Sequence, residues 1–417
     1  MPNFKPKAKS KVVGSLAACL FARRGHLVDL YEFRPDIRQT TASRGRTINL
    51  SISTRGRKAL ARAGLERRVL EFAIPLRGRM VHLPEGRTTA VPYDPLGDQF
   101  RSLLPIADET QARSREITVG IDQQKECYHD NARTDNNTRV DVRTELTVGA
   151  DGAFSAVRRR MLHRQFDYEQ RYIAHGYIEL SIPPVDGEFA IAPNYLHLWP
   201  RGDYTIVAMP NQDKSWSLTL FMPFSTFDSL DCPQKLVDFF TDKFDDAIHL
   251  IGREKLIEDF FRNKPSPLIS IKCYPYHVDD RAVLIGDAAH AMVPFFGQGM
   301  NAGLEDCLLL DELIGTMPMR HALKAYTDLR WRDAHAICDL AIYNFQEISS
   351  LVTKRRWRLR RAIDNSLHCV LGARWMPLYQ SVCFTTTPYR ECWDKQRSQD
   401  HVRYIHLLYF SLCIKKT

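Results

Sequence analysis

Arg281-Ala-Val-Leu-Ile-Gly-Asp-Ala-Ala-His-Ala-Met-Val-Pro-Phe-Phe-Gly-Gln-Gly-Met-Asn-Ala-Gly-Leu-Glu-Asp306 is the stretch that decides how this chain folds. Ala282 to Ile285 is a short apolar run of strand type, and Gly286-Asp287 closes it. Gly297, Gly299 and Gly303 then let the backbone approach a bulky planar ligand with no Cβ in the way. A helix begins near Met300 and Asn301, and the first turn of a helix leaves its N–H donors unpaired. Those donors would face a negatively charged ligand edge beside the end of a strand.

Working outward, Ser15 to Arg24 carries Leu16, Cys19, Leu20 and Phe21 at helical spacing, and Gly25 ends that helix. Leu27-Val-Asp-Leu-Tyr-Glu32 follows as a strand. Its last residue is acidic and lies eighteen positions beyond Gly14, close to the spacing at which a dinucleotide fold places its ribose-binding carboxylate. Thr147 to Gly152 is another strand running into a glycine turn, and Arg158 to Arg160 lie in the helix after it. With the Asp287 segment these pieces make one nucleotide-binding lobe from three separated parts, residues 12–75, 140–170 and 275–316.

Between the second and third parts the period changes to two. Tyr177–Ile182, Tyr195–Trp199, Tyr204–Met209 and Trp216–Met222 read as strands separated by turn clusters such as Arg201-Gly-Asp203. This is a largely antiparallel lobe, residues 76–100 and 171–274, inserted into the first. Beyond Met317 the pattern is helical and basic, with Arg355, Arg356, Arg358, Arg360 and Arg361 around Trp357, so 317–417 forms a third, helical region.

A chain of 417 residues with 44% hydrophobic content is long enough for two lobes and an appendage. The net charge of +9 comes from 58 basic residues interleaved with 49 acids along the whole length, which argues against nucleic acid as the main partner. The ten cysteines form no C-x-x-C pair and Met1 to Lys11 lacks an apolar leader core, which points to a reducing compartment with free thiols. The longest apolar run, Ile405 to Ile414, is too short to span a bilayer, so a soluble or peripherally attached protein is expected. The Asn136-Asn-Thr138 sequon is coincidental in such a chain.

Taken together, Glu32, Arg44-Gly-Arg-Thr-Ile-Asn-Leu50, Val148-Gly-Ala-Asp-Gly-Ala-Phe-Ser155 and the Asp287 run resemble the single-component FAD-dependent aromatic hydroxylases. Within that class His175-Gly-Tyr-Ile-Glu-Leu180, Asn194-Tyr-Leu-His-Leu-Trp-Pro200, Pro294 to Asn301 and Met376-Pro-Leu-Tyr379 are similar to the kynurenine 3-monooxygenases. The resemblance covers Val13 to about Trp393. It implies an α/β fold: an FAD-binding, Rossmann-like lobe, doubly wound around a mostly parallel sheet, with an inserted antiparallel substrate lobe and a C-terminal helical region. It also implies the reaction, in which NADPH reduces FAD and O2 supplies the oxygen that ends on the ring of L-kynurenine. The chemistry belongs to the cofactor, so the protein has to position the ring and exclude water, with neither a metal nor a side-chain catalytic base.

The resemblance carries roles to individual residues. Val13, Tyr31, Glu32, Phe33, Arg34, Ser51, Asp287, Met300 and Asn301 stand at FAD positions, and Arg79, Tyr93, Asn344 and Tyr379 at substrate positions. A guanidinium fork such as that of Arg79 is the side chain best shaped for a carboxylate. His290 is read as structural. The resemblance further implies the cytosolic face of the mitochondrial outer membrane, with the basic cluster from Lys354 to Arg361 available for peripheral membrane contact.

Three departures stand out. The family opens with an apolar strand and a G-x-G-x-x-G turn, whereas Met1 to Lys11 holds four lysines and two prolines and only Gly14 remains of the glycines. The sheet is therefore expected to lack an inner strand and the pyrophosphate its usual cradle. Between Ala107 and Glu145 an FAD-contacting arginine helix is missing, and Ala156 stands where the family carries a threonine beside the flavin. Two other readings follow: hydroxylation of a different aromatic acid, or a flavin-deficient copy that serves as an interaction protein.

Overall fold

The computed structural model describes residues 12–32, 50–84, 86–93, 104–106, 118–122, 130–133, 139–162, 165–350, 364, 367 and 375–400. Met1 to Lys11, Phe33, Arg34, the Arg44 to Asn49 motif, the sequon, the Lys354 to Arg361 cluster and the Ile405 to Ile414 run lie outside the described residues.

The chain opens with α1 (Val12–Arg23), which buries Leu16, Ala17, Leu20 and Phe21 at helical spacing and is followed by Gly25 at φ +88°. Then come β1 (Leu27–Leu30), β2 (Leu50–Ile52), α2 (Thr54–Arg62), α3 (Glu66–Leu70), β3 (Gly78–His82) and β4 (Thr88–Pro92). The short strands β5 (Leu104–Ile106), β6 (Thr118–Asp122), β7 (Asp130–Arg133) and β8 (Arg139–Val142) lead to β9 (Leu146–Gly149) and α4 (Ala156–Met161). The antiparallel lobe is built from β10 (Asp167–Ile182), β11 (Tyr195–Arg201), β12 (Tyr204–Pro210) and β13 (Trp216–Pro223), then α5 (Phe224–Ser229), α6 (Pro233–Lys243), α7 (Asp245–Ile251), α8 (Arg253–Arg262) and β14 (Ser266–Tyr274). The chain returns through β15 (His277–Val278), β16 (Ala282–Leu284), α9 (Asp287–His290), α10 (Gly299–Ile314), α11 (Met319–Ser350) and α12 (Leu378–Phe384).

The first sheet has the order β1-β6-β9-β16-β15. β9 and β16 pair in parallel, Thr147 opposite Ala282 and Gly149 opposite Leu284, whereas β6 runs antiparallel to both β1 and β9. Two sequence expectations change here. The sheet is mixed rather than mostly parallel: β1, β9 and β16 share a direction and β6 and β15 oppose it. Nor is the inner position empty. The lysine- and proline-rich start of the chain is a poor central strand, and β6, from the segment expected to have lost a helix, occupies the place between β1 and β9. The described residues between Ala107 and Glu145 are strand apart from Arg143 and Thr144, with no helix among them. α1 and α10 pack on this sheet, and their core joins Leu20, Val148, Val283, Leu284 and Leu304.

The second sheet has the order β14-β10-β13-β12-β11-β3-β4, antiparallel except where β3 pairs with β11, Arg79 opposite Leu196. The alternating strands read from the sequence all occur, but β10 begins ten residues before Tyr177 because its first half pairs with β14, Asp167 opposite Tyr274. Helices α5 to α8 close one face over Ile178, Trp199, Trp216, Leu218, Phe240 and Phe244, and the period-two reading had not included them. The other face meets Val293, Phe295 and Ala341 through Leu198 and Phe221. A further cluster, Leu76, Tyr93, Phe296, Ala302, Ile337, Val382 and Tyr389, binds α10, α11 and α12 to the β3–β4 hairpin. Among the described residues no helix is long and apolar enough to cross a membrane.

Candidate functional site

The segment from β16 to α10 forms the base of the site. Fully buried β16 is followed by Gly286, whose φ of +59° and ψ of −144° are open to glycine alone at little cost, and the chain turns outward into α9. Val13 of α1 fills the space this creates: a Cβ on Gly286 would lie 3.2 Å from its methyl and one on Gly303 only 2.6 Å away. The chain then makes one 3-10 turn over Pro294–Phe296 and bends at Gly297 with φ +63°. A side chain at Gly297 would be strained and would meet Ser51 Oγ at 2.7 Å. Gln298 precedes the first turn of α10, and its carbonyl accepts the Ala302 N–H at 2.8 Å. The N–H groups of Gly299, Met300 and Asn301 stand ahead of that bond, and no side chain caps the helix.

Asp287 is exposed, and its Oδ1 lies 3.9 Å from where a Cβ on Gly299 would stand, with nothing closer around that point. An acceptor thus stands beside a cluster of free donors over open space. Asn301 contributes differently from Met300. Its carboxamide is fully buried: Oδ1 accepts Ser53 N–H at 2.7 Å and Nδ2 donates to the Ser51 and Gly297 carbonyls at 2.8 and 3.0 Å. Its side chain latches β2 to the helix start, and its backbone N–H is one of the donors ahead of the first helical bond. Ser51 Oγ donates to the Gly297 carbonyl at 3.5 Å. Tyr31 and Glu32 follow β1 and are half-buried. Ala156 N–H donates to Asp151 Oδ2 at 2.6 Å, so the residue replacing threonine is tied into the start of α4.

Next to the helix start stands a cationic aromatic stack. Arg79 on β3 lies with its Cζ 3.9 Å from the Tyr379 ring centre. Tyr379 stacks on Tyr93 at 5.3 Å and on Phe296 at 5.8 Å, with interplanar angles of 21° and 13°. Phe296 is three residues from Gly299, so the stack abuts the open helix end. Burial pushes the Tyr93 and Tyr379 phenols up, keeping both neutral. Burial by itself would lower Arg79, but the two phenolic oxygens more than offset it and the guanidinium stays charged. Among the described residues no carboxylate pairs with Arg79, and the Tyr93 hydroxyl is buried beside the Arg79 and Tyr379 side chains. The stack therefore sets a positive charge, without a carboxylate partner among the described residues, against two stacked aromatic rings beside the helix start. Asn344 on α11 is also buried, but its Nδ2 donates to the Phe295 carbonyl at 2.8 Å, so it joins the same bend from the other side.

Several buried polar residues here escaped the sequence reading. Gln298 accepts from Tyr389 Oη at 3.0 Å and donates to Cys383 Sγ at 3.5 Å. Arg55 and Arg330 both reach Glu305, and Asp306 binds Gly286, His290 and Arg330. Gln298, Glu305 and Asp306 lie inside the deciding stretch, where polar side chains set among apolar and small neighbours were the signal available; their partners in α2, α11 and beyond carried none. His290 is fully buried against Asp306, consistent with a structural place. Among the described residues no group of three or more His, Cys, Asp or Glu side chains is set to hold a metal, and the seven described cysteines are free.

A family profile described as an FAD binding domain matches residues 107–340, more than half of the chain. Among solved structures, 2-methyl-3-hydroxypyridine-5-carboxylic acid oxygenase superposes with a TM-score of 0.60 at 15% identity, over 84% of this chain and 93% of that one. A Klebsiella pneumoniae HpxO variant complexed with FAD gives 0.58 at 18%, over 86% and 96%. Fold, seat and profile place the protein in the class of FAD-dependent monooxygenases. The kynurenine 3-monooxygenase of Drosophila willistoni is 46% identical over 410 residues, 94% of this chain and 89% of its own length, and that of Sus scrofa is 40% identical over 97% and 88%. The chain belongs to the kynurenine 3-monooxygenase family.

Proposed function

We propose that this protein hydroxylates L-kynurenine on its aromatic ring: L-kynurenine, NADPH, a proton and O2 give 3-hydroxykynurenine, NADP+ and water. The observation that carries the reading is Arg79, a guanidinium without a carboxylate partner among the described residues, stacked with Tyr379 and Tyr93 against the open start of α10. Family membership supplies the substrate, and the stack supplies a means of holding its carboxylate.

The residues present fit FAD. The free N–H groups of Met300 and Asn301 would hold the anionic pyrimidine edge, and the Asp287 carboxylate would accept from ribityl hydroxyls. Val13, Tyr31, Glu32, Phe33, Arg34 and Ser51 would complete the cofactor site as the family pattern has them. FAD, when reduced by NADPH, supplies the oxygen transfer from O2. This chain's own residues bind and exclude. Arg79 pairs with the substrate carboxylate, the Tyr93 hydroxyl donates to it, and Tyr379 holds the guanidinium flat. Asn344 keeps Phe295 in place, and Phe295 packs on Phe221 and Phe345 at 4.9 and 4.5 Å, an apolar wall that keeps water off the reacting ring.

The same reading divides the chain into an FAD-binding part (12–75, 140–170, 275–316), a substrate part (76–100, 171–274) and a helical region (317–417), and places it at the mitochondrial outer membrane with peripheral contact. The test is NADPH oxidation by the purified full chain with FAD, with L-kynurenine and with salicylate-type acids. Stimulation by L-kynurenine with formation of the 3-hydroxy product supports the reading. Stimulation by the other acids alone gives the related hydroxylase, and a colourless chain that takes up no FAD gives the interaction protein.

A further inference from the structure

We propose that Asp306 and Arg330 are positioning residues for the cofactor: they set the Gly286-Asp287 turn against the start of α10, so that the Asp287 carboxylate and the free helix donors face one and the same flavin. The inference rests on the seat assigned above and concerns what holds its two halves in register.

Asp306 lies on α10 seven residues after Gly299 and has no exposed surface. Its Oδ2 accepts the Gly286 N–H at 2.7 Å and meets His290 Nε2 at 2.6 Å, while Oδ1 accepts Arg330 Nε at 2.6 Å. Gly286 has left the strand conformation, so this carboxylate supplies the acceptor for its N–H at the residue before Asp287. Burial would raise the Asp306 carboxyl, but His290 and Arg330 hold it down at about 2.

Arg330 extends the grip from α11. Its Nη2 donates to the Ala302 carbonyl in the first turn of α10 at 3.0 Å, and its Nη1 reaches Glu305 at 2.8 Å and Asp333 at 3.0 Å. From the opposite side Arg55 pairs with Glu305 at 2.6 Å and lies 3.8 Å over the ring of Tyr389, whose hydroxyl donates to Gln298 at 3.0 Å. One connected set of contacts therefore runs from Gly286, at the acceptor half of the seat, to Gln298, at its donor half. Stability alone does not call for this many buried charges, because apolar residues of the same volume hold a core as well or better. What the charges add is a single geometry, needed where two chain segments 11 to 15 residues apart, Gly286-Asp287 and Gln298 to Asn301, must address one ligand.

Asp259 provides an internal control. It is 1% exposed and equally bonded, to Ser181 N–H at 3.1 Å, Ser181 Oγ at 2.6 Å and Lys255 at 2.7 Å, but it sits in the antiparallel lobe and touches no part of the seat. The experiment titrates FAD into the full chain by flavin fluorescence and absorbance, with thermal melts of the same samples, for wild type, Asp306→Asn, Arg330→Lys, Arg330→Met and Asp259→Asn. Asp306→Asn is expected to weaken FAD about 10- to 100-fold, as removal of a supporting partner behind a ligand typically does, and to shift the flavin absorbance band. Arg330→Lys should recover part of what Arg330→Met loses. Asp259→Asn should lower the melting temperature yet bind FAD within about twofold of wild type, as expected of a site that shares no partners with the seat. Wild-type FAD affinity and spectrum in Asp306→Asn, with a melting loss like that of Asp259→Asn, overturn the proposal. If Asp306→Asn does not fold, the Arg330 pair decides by the same criterion. A wild-type chain that takes up no FAD overturns the seat itself, a result distinct from either.

Discussion

Replacing Arg79 by Met keeps most of the side chain's length and packing under Tyr379 and removes the fork and the charge. Two hydrogen bonds from a charged donor contribute about 1.5–3 kcal/mol each, and the partly buried setting favours the upper half of that range. Discounting for partial rehydration of the substrate carboxylate leaves roughly 3–4 kcal/mol, which at about 1.4 kcal/mol per tenfold is a loss of about 10²- to 10³-fold in kcat/KM. Arg79→Lys keeps the charge but not the planar fork and should lose about tenfold. The assay is initial-rate NADPH oxidation and product formation with L-kynurenine, repeated with the amine that lacks its carboxylate. Arg79→Met should discriminate little between the two substrates, whereas wild type should favour the acid strongly. A variant that keeps kcat/KM for L-kynurenine within threefold, or still prefers the acid by the wild-type ratio, refutes the assignment of Arg79 as the carboxylate receptor.

Two further predictions follow from the helix start. Gly297→Ala puts a Cβ at a φ of +63° and 2.7 Å from Ser51 Oγ, so it should destabilise the chain by about 1–2 kcal/mol and weaken FAD binding. Adding Ser51→Ala should restore the steric part, as read by urea unfolding, and no recovery would mean that the backbone strain alone matters. On the acid side, the folded-state carboxyl of Asp306 is held at about 2 against an ordinary 3.8. Its contribution, on the order of 2 kcal/mol, is therefore complete above pH 4 and lost as pH falls from about 4 through 2. Comparing Asp306→Asn with wild type by unfolding across that window should show the difference shrinking toward low pH; a constant difference would remove the carboxylate as its source.

The parts of this molecule that the sequence made legible are those carried by local pattern. The apolar run before Gly286, the positions of Gly297 and Gly299 and the helix start near Met300 all lie within one stretch, so the seat could be read from its own residues. The strands β10 to β13 alternate and were found, apart from the first half of β10, which exists only because β14 returns to pair with it. Long-range pairing was not legible. β6 lies in a segment without period, and nothing in it announces that it fills the inner place of the first sheet. The roles of Asn301 and Asn344 as latches depend on carbonyls at Ser51, Gly297 and Phe295, and in two of these three cases the partner is separated by tens of residues or more. Arg79, Tyr93 and Tyr379 came from family resemblance, and only folding brings β3, the end of β4 and α12 to one point beside Phe296.

The most direct test of the central claim is a crystal structure of the full chain with FAD bound. The account predicts the pyrimidine edge of the flavin against the backbone N–H groups of Met300 and Asn301, the ribityl chain at Asp287, and Arg79 with Tyr379 bordering the reactive face. A flavin seated elsewhere, or a helix start that stays clear of it, would contradict the account.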